Sequence, residues 1–231
     1  MTHDGLTVLF DLDGTLIDTA PDLIGVLNTM LAEKDLRGVP LSSARHLVGH
    51  GALAMLRHGH AEAGAPWDET QAPAELDRFI DLYRARIADE SRAFAGLTDA
   101  LDHLAASGAR LGVATNKRTD LSVALLEALG LKSRFAAIVG ADAVSARKPS
   151  AAHLIEAVAA CGGKPARAIM IGDSATDLNA ARAAQIPCIL VSFGYTETPA
   201  GQLEPDGLID HFDELPGEIA RLSRDFGLTP I

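Results

Sequence analysis

The sequence is poor in cysteine and in positive charge. Its 231 residues include only two cysteines, Cys161 and Cys188, and these form no CxxC pair. A disulfide scaffold and a structural zinc site are therefore not expected. Aspartate and glutamate (31) outnumber lysine and arginine (20), which gives a formal net charge of −11. A net negative surface repels phosphodiester backbones, so the composition argues against nucleic-acid binding.

Long apolar runs are missing as well. Charged residues interrupt every run before it reaches the ~18 apolar residues that a membrane-spanning helix needs. Residues 1–10 lack the basic stretch with which a secretory signal begins. We therefore expect a cytoplasmic protein with no membrane partner. The apolar and charged fractions, 48% and 22%, are those of an ordinary globular chain.

The sequence does contain several short apolar runs, each ending in a polar or glycine turn. They predict strands over residues 6–10, 110–114, 136–139, 168–171, 188–191 and 207–209. Helical patterns separate these runs. Strands that alternate with helices predict an α/β fold with a Rossmann-like, doubly wound parallel sheet. In such sheets, ligands bind at the carboxyl ends of the strands.

Residues 20–92 break this alternation, because they show helical patterns and no convincing strand. One apolar stripe follows Pro21, which suits the first turn of a helix. We interpret residues 20–92 as a small helical domain inserted after the first strand. Residues 1–19 and 93–231 would then form the α/β core domain.

Paired aspartates follow two of the predicted strands. Asp11 and Asp13 come directly after the first strand, and Asp173 and Asp177 follow the strand over 168–171. Two carboxylates that lose hydration side by side need a cation or a proton to compensate them. Mg²⁺ suits a few carboxylates together with water and phosphate. The plainer alternatives are a helix N-cap or a turn for the first pair and a helix N-cap for Asp177.

Three further residues lie at neighbouring strand ends. Lys148 precedes Pro149, and Thr115 and Asn116 end the strand over 110–114. A lysine ammonium, a hydroxyl, an amide and backbone N–H groups all bind phosphate oxygens. Read alone, Lys148 is also compatible with a solvated charge, and Thr115-Asn116 with a simple turn.

Taken together and in order, these segments resemble the four motifs of the haloacid dehalogenase superfamily of aspartate-nucleophile hydrolases. The motifs are Asp11-Leu12-Asp13-Gly14-Thr15, Thr115-Asn116, Lys148-Pro149 and Gly172-Asp173-Ser174-Ala175-Thr176-Asp177. The insert is similar to the family's C1-type cap. Val48-Gly49-His50-Gly51, Phe193-Gly194-Tyr195 and Pro205-Asp206 further resemble its phosphoglycolate phosphatase branch.

The resemblance implies a Mg²⁺-dependent phosphomonoesterase with an aspartyl-phosphate intermediate, acting on 2-phosphoglycolate. Asp11 would be the nucleophile and a metal ligand, and Asp13 the acid and base, with its backbone carbonyl on the metal. Asp173 would be a direct ligand and Asp177 an outer one. Thr115, Asn116 and Lys148 would hold the phosphoryl oxygens.

Substrate choice is assigned to the insert. Its candidates for a second anionic group of the substrate are Arg45 and His50, with Gly49 and Gly51 at the start of a helix whose N–H groups attract anions. The alternative for Arg45 and His50 is a solvated helix face.

Other functions remain open at this point. A phosphomutase resembling β-phosphoglucomutase, or a phosphatase for another small phosphorylated metabolite or pyrophosphate, fits the same motifs. A haloacid dehalogenase needs no Mg²⁺ and usually lacks the second aspartate, so Asp13 argues against it. A binding module would explain the metal site alone. Both a monomer and a homodimer are compatible with the sequence.

Overall fold

The structure is a computed structural model that describes residues 3–228, apart from the side chains of residues 43 and 44. Within that range the strands are β1 Thr7–Phe10, β2 Ile17–Asp18, β3 Arg92–Ala93, β4 Arg110–Ala114, β5 Ala137–Val139, β6 Ala168–Gly172, β7 Cys188–Val191 and β8 Gly207–Ile209. The α-helices are α1 Ala20–Ala32, α2 Leu41–Ala44, α3 Ala52–Glu62, α4 Ala72–Ala85, α5 Leu97–Ala106, α6 Thr119–Ala128, α7 Ala151–Ala160, α8 Ala175–Ala184 and α9 Leu215–Asp225. A 3-10 helix, Arg45–His50, joins α2 to α3.

Six of these strands form one parallel sheet in the order β5-β4-β1-β6-β7-β8. The first strand is central, with β4 on one side and β6 on the other. The chain builds one half of the sheet outward from β1 and then returns to build the other half. This is the doubly wound arrangement predicted from the sequence, and the α/β fold class is confirmed.

The helices cover both faces of the sheet because side chains alternate along each strand. On β1, Val8 and Phe10 join an apolar cluster with residues of α5, α6 and α9. Leu9 points to the other face, where it belongs to a cluster that includes residues of α7 and α8. The strands are therefore buried on both sides, as their continuous apolar runs predict.

The register places the polar motifs at one edge of the sheet. Phe10, the last residue of β1, lies opposite both Val113 of β4 and Ile171 of β6. The residues that come next on the three strands therefore emerge together at their carboxyl ends. That edge receives Asp11, Thr115 and Asp173.

The helices between β2 and β3 share an apolar cluster of their own. Leu27 of α1, Leu56 of α3 and Phe79 of α4 are buried in it, and Leu121 and Tyr195 join it from the core side. The chain enters and leaves this helical segment through an antiparallel pair of two-residue strands, β2 and β3. We call residues 20–92 the insert; its boundaries stay a prediction.

Two local features differ from the sequence expectation. The strands β2 and β3 were not expected, because two residues are too few for a periodic pattern. The helical pattern before the strand over 168–171 predicts a helix that starts at Pro149, but helix α7 begins at Ala151, because the Ser150 side chain caps it by accepting from Ala152 N at 3.3 Å. Of the helices within residues 3–228, none has the length and apolarity required to cross a membrane.

Candidate active site

A buried lysine joins two carboxylates from different strand ends. Lys148 Nζ lies 2.9 Å from Asp11 Oδ1 and 2.6 Å from Asp177 Oδ1. The lysine side chain is only 1% exposed. Its backbone is fixed from both directions, since Lys148 N donates to His153 Nδ1 and Lys148 O accepts from Asn116 Nδ2 at 3.0 Å. The loop before α7 therefore delivers one positive charge to the end of β1.

Asp173 is held in place by the backbone of a neighbouring loop. Its Oδ2 accepts from Tyr195 N at 2.7 Å, and its Oδ1 accepts from the Thr15 hydroxyl at 3.4 Å. The loop comes so close that a Cβ on Gly194 would lie 2.2 Å from Asp173 Cβ. Glycine at position 194 is thus what lets this loop approach the carboxylate.

Asp177 has two roles at the start of α8. Its Oδ2 accepts from the backbone N–H groups of Asp173 and Ser174, each at 3.2 Å, and from the Ser174 hydroxyl at 2.9 Å. This is a capping box with Ser174 as the N-cap. The other oxygen, Oδ1, meets Lys148. The helix-capping alternative and the site role are therefore both present in one side chain.

The carboxylates of Asp11, Asp173 and Asp177 form a compact group, with one oxygen of each lying within 4.8 Å of the others. Burial, together with the charge of Asp177, outweighs Lys148 and raises the pKa of Asp11 to about 6. Burial, together with the charges of Asp177 and Asp11, also raises the pKa of Asp173. Burial by itself disfavours the Lys148 ammonium, but Asp11 and Asp177 outweigh it and raise the pKa of that lysine.

One lysine does not balance three carboxylates, two of them buried and one partly buried, so the group retains uncompensated negative charge. Its donor atoms are all oxygen, which suits a hard divalent cation. The group could therefore hold a metal ion between β1 and β6.

The Asp13 side chain lies in a separate set of contacts. Lys117 Nζ donates to both Asp13 oxygens at 3.0 Å, and the Thr19 hydroxyl donates to Oδ1 at 2.7 Å. Lys117 Nζ also lies 4.4 Å from the centre of the Tyr83 ring on α4. Burial disfavours the ammonium, but Asp13 and Tyr83 outweigh it and raise the pKa of Lys117. The Asp13 side chain is not among the carboxylates that group around Lys148 within residues 3–228.

Thr115 and Asn116 lie on the loop after β4. Thr115 is buried, and its hydroxyl accepts from Lys117 N at 3.2 Å. Asn116 Nδ2 holds the carbonyl of Lys148. Asn116 Oδ1 is buried and has no hydrogen-bond partner among the described residues.

The four insert candidates lie along the 3-10 helix Arg45–His50 and at the start of α3. Arg45 reaches the core side, where its guanidinium lies 2.9 Å from Asp18 Oδ2 and 4.9 Å from the centre of the Tyr195 ring. His50 is exposed. A Cβ on Gly49 or Gly51 would meet no atom of the described residues within 4 Å. Gly51 has a φ of 90° and is the N-cap of α3.

Sequence reasoning missed Lys117, Thr19 and the contacts of Tyr195. Lys117 directly follows Thr115-Asn116, so its position at the end of a predicted strand could have marked it as a candidate site residue. Thr19 and Tyr195 carry no such signal. The Tyr195 backbone meets a carboxylate 22 positions away, and no local pattern encodes that contact.

The sequence that builds this site also matches a known family. The family model described as haloacid dehalogenase-like hydrolase matches residues 8–191, a range that contains all four motifs. The chain belongs to the haloacid dehalogenase-like hydrolase family. Phosphatases of this family are generally metal-dependent, in agreement with the group formed by the Asp11, Asp173 and Asp177 carboxylates.

Relatives and solved structures of this family resemble nearly the whole chain. A protein of Caulobacter vibrioides named phosphoglycolate phosphatase is 53% identical over 93% of this chain and 91% of its own length. The crystal structure of a predicted phosphoglycolate phosphatase from Haemophilus somnus has a TM-score of 0.86 at 27% identity, over 94% of this chain and 98% of that one. A mutant of CbbY from Rhodobacter sphaeroides, solved in complex with xylulose-(1,5)bisphosphate, has a TM-score of 0.74 at 26% identity, over 90% of this chain and 95% of that one. These relatives indicate that the chain is a phosphatase.

Proposed function

We propose that this protein is a Mg²⁺-dependent phosphatase that hydrolyses 2-phosphoglycolate to glycolate and phosphate through an aspartyl-phosphate on Asp11. The observation that carries the proposal is the buried contact of Lys148 with both Asp11 and Asp177, at the sheet edge that also holds Asp173. The names of the matched relatives support the substrate.

The proposed metal is Mg²⁺, held by Asp11 and Asp173, with Asp177 in the outer shell and the Asp13 backbone carbonyl as a further ligand. Its fit rests on the oxygen-only donor set and on the uncompensated negative charge around Lys148. When bound, the ion neutralises charge on the phosphoryl oxygens and polarises the phosphorus toward attack.

The first chemical step forms a bond between an Asp11 oxygen and phosphorus. The bond from phosphorus to the glycolate oxygen breaks, and that oxygen takes a proton from Asp13. A carboxylate needs no deprotonation before it attacks, so Asp11 is competent at neutral pH. Lys148, Thr115 and Asn116 are proposed to hold the phosphoryl oxygens and stabilise the charge that spreads over them.

The second step returns the enzyme to its starting state. A water molecule gives a proton to the Asp13 carboxylate, and its oxygen bonds to phosphorus. The bond from phosphorus to Asp11 breaks, which releases phosphate and restores the Asp11 carboxylate. Asp13 ends this step protonated and ready for the next leaving group.

Recognition of the substrate carboxylate is assigned to the insert. Arg45 is the main candidate because its guanidinium reaches the ring of Tyr195, whose backbone holds Asp173. His50, Gly49 and Gly51 are proposed to contribute from the start of α3. This division of labour presumes the predicted domains, residues 1–19 and 93–231 for chemistry and 20–92 for specificity. The two buried free thiols of Cys161 and Cys188 accord with the proposed cytoplasmic location.

A sugar bisphosphate is the second candidate substrate, favoured by the complex of the CbbY mutant. The test is phosphate release from 2-phosphoglycolate, a sugar bisphosphate, a sugar monophosphate and pyrophosphate, with EDTA and with Mg²⁺ restored. We expect the highest kcat/KM for 2-phosphoglycolate, loss in EDTA and recovery with Mg²⁺. A higher kcat/KM for the sugar bisphosphate would identify the bisphosphate as the substrate in place of 2-phosphoglycolate. A requirement for a bisphosphate activator without phosphate release would indicate a phosphomutase, and full activity in EDTA would contradict the metal.

A further inference from the structure

Lys117 holds the carboxylate of Asp13 from the loop after β4. Its ammonium lies 3.0 Å from each oxygen of that carboxylate. Both side chains are largely buried, with 7% of Lys117 and 13% of Asp13 exposed. A buried ion pair with two hydrogen bonds restricts where the carboxylate can point, because breaking it leaves each buried charge without its counter-ion.

The same ammonium is also fixed from the insert. It lies 4.4 Å from the centre of the Tyr83 ring on α4, and Tyr83 is itself only 1% exposed. Asp13 has a second partner on that side, because the hydroxyl of Thr19, the residue before α1, donates to Oδ1 at 2.7 Å. Lys117 therefore joins the loop after β1, the loop after β4 and a helix of the insert.

The contacts leave one oxygen of Asp13 partly free. An ionised carboxylate offers about four acceptor positions. Thr19 and Lys117 occupy two on Oδ1, whereas Lys117 alone occupies one on Oδ2. Oδ2 is therefore the oxygen with room for the proton that the proposed reaction passes through Asp13.

We propose that Lys117 is a positioning residue for the acid–base step, which fixes the Asp13 carboxylate so that Oδ2 exchanges the proton. This inference rests on the proposed function, since it presumes that Asp13 serves as acid and base. Lys117 acts through Asp13 and does not hold the phosphoryl group.

The test is a double-mutant cycle of Lys117→Met and Asp13→Asn. Each variant is assayed with 2-phosphoglycolate, whose alkoxide leaving group needs a proton, and with p-nitrophenyl phosphate, whose leaving group does not. We expect Lys117→Met to lower kcat for 2-phosphoglycolate by ~10-fold or more, within the effect of losing an acid–base group. The loss should be smaller for the aryl ester, and KM should change little.

The cycle separates positioning from the other roles. In the Asp13→Asn background Lys117→Met should cause no further loss, because the group through which it acts is gone. A matched control is Lys34→Met, which removes an ion pair to Glu75 at an exposed position and should retain wild-type kinetics. Lys117→Arg should restore part of the rate.

Five results would overturn the inference. An equal loss in both backgrounds with a raised KM would show that Lys117 binds the phosphoryl group itself. An equal loss on both substrates would indicate a structural role. The same conclusion would follow if the Lys117→Met protein failed to fold while Thr19→Val, which removes the other contact of Asp13, folded and kept wild-type kinetics. If Asp13→Asn lowers kcat as expected but Lys117→Met has no effect, the positioning role of Lys117 is refuted while the acid–base role of Asp13 stands. A wild-type rate in Asp13→Asn would instead refute the proposed acid–base role, and this inference with it.

Discussion

Replacing Gly194 by alanine tests how the loop before Tyr195 holds the candidate metal ligand Asp173. The new Cβ would lie 2.2 Å from Asp173 Cβ and 2.6 Å from its Oδ2, against the ~3.5 Å or more at which carbon atoms normally rest. Rotation of the Asp173 side chain cannot relieve a contact with its own Cβ. One of the two backbones must therefore move by about 1 Å.

Such overpacking costs about 1–3 kcal/mol in the free energy of unfolding. For a chain of this size, that corresponds to a fall in Tm of about 2–12 °C. The movement also disturbs the 2.7 Å bond from Tyr195 N to Asp173 Oδ2. We therefore expect the Mg²⁺ concentration for half-maximal phosphate release to rise about 10–100-fold, as for other groups that support metal ligands.

The assay is thermal unfolding in EDTA together with a Mg²⁺ titration of phosphate release. The matched control is Gly217→Ala on α9, where a Cβ would meet no atom of the described residues within 4 Å. Alanine suits a helix better than glycine, so this variant should keep or gain up to about 1 kcal/mol. A Gly194→Ala protein with the Tm and Mg²⁺ requirement of the wild type would refute the packing argument.

Three further predictions concern the chemistry and the insert. Asp11→Asn should abolish phosphate release, and Asp13→Asn should lower it by ~10²–10⁴-fold; normal turnover by Asp11→Asn would disprove the nucleophile assignment. Because burial raises the pKa of Asp11 to about 6, the folded protein binds this proton more tightly than the unfolded chain. Without metal, the contribution of Asp11 to the free energy of unfolding should therefore rise by up to about 3 kcal/mol as pH falls from 7 towards 4. Urea titrations at several pH values, with and without Mg²⁺, would show whether the ion removes this contribution. Arg45→Ala and His50→Ala should raise KM for 2-phosphoglycolate more than for p-nitrophenyl phosphate, and equal effects on both esters would exclude recognition of the carboxylate by the insert.

The parallel sheet was predictable because its strands are buried on both faces. Runs such as residues 168–171 are continuously apolar and end at a glycine, and this pattern persists whatever the neighbouring helices do. The position of the polar motifs then followed from the topology, since parallel strands bring their carboxyl ends together at one edge of the sheet. That is why Asp11 and Asp173 could be placed near one another from sequence alone.

Contacts made between loops were not predictable in the same way. Lys117 follows a recognised motif, but its contact with Asp13 depends on the pairing register of β1 and β4. Tyr195 acts on Asp173 through its backbone N–H, a group that every residue except proline carries. Arg45 was expected to face the substrate, and the structure adds an ion pair with Asp18. That contact depends on how the start of the insert folds back onto β2, which no local pattern encodes.

The pairing of β2 with β3 has a consequence for how such a chain can be rebuilt. Asp18 lies opposite Arg92 in an antiparallel ladder, where facing Cα atoms are about 4.5–5.5 Å apart. A tight turn of about two residues spans that gap, so a minimal loop, or a foreign sequence of a different length, could replace residues 19–91. Recombination between β2 and β3 would exchange the segment proposed to select the ester while leaving the proposed phosphoryl-transfer residues of the sheet edge in register.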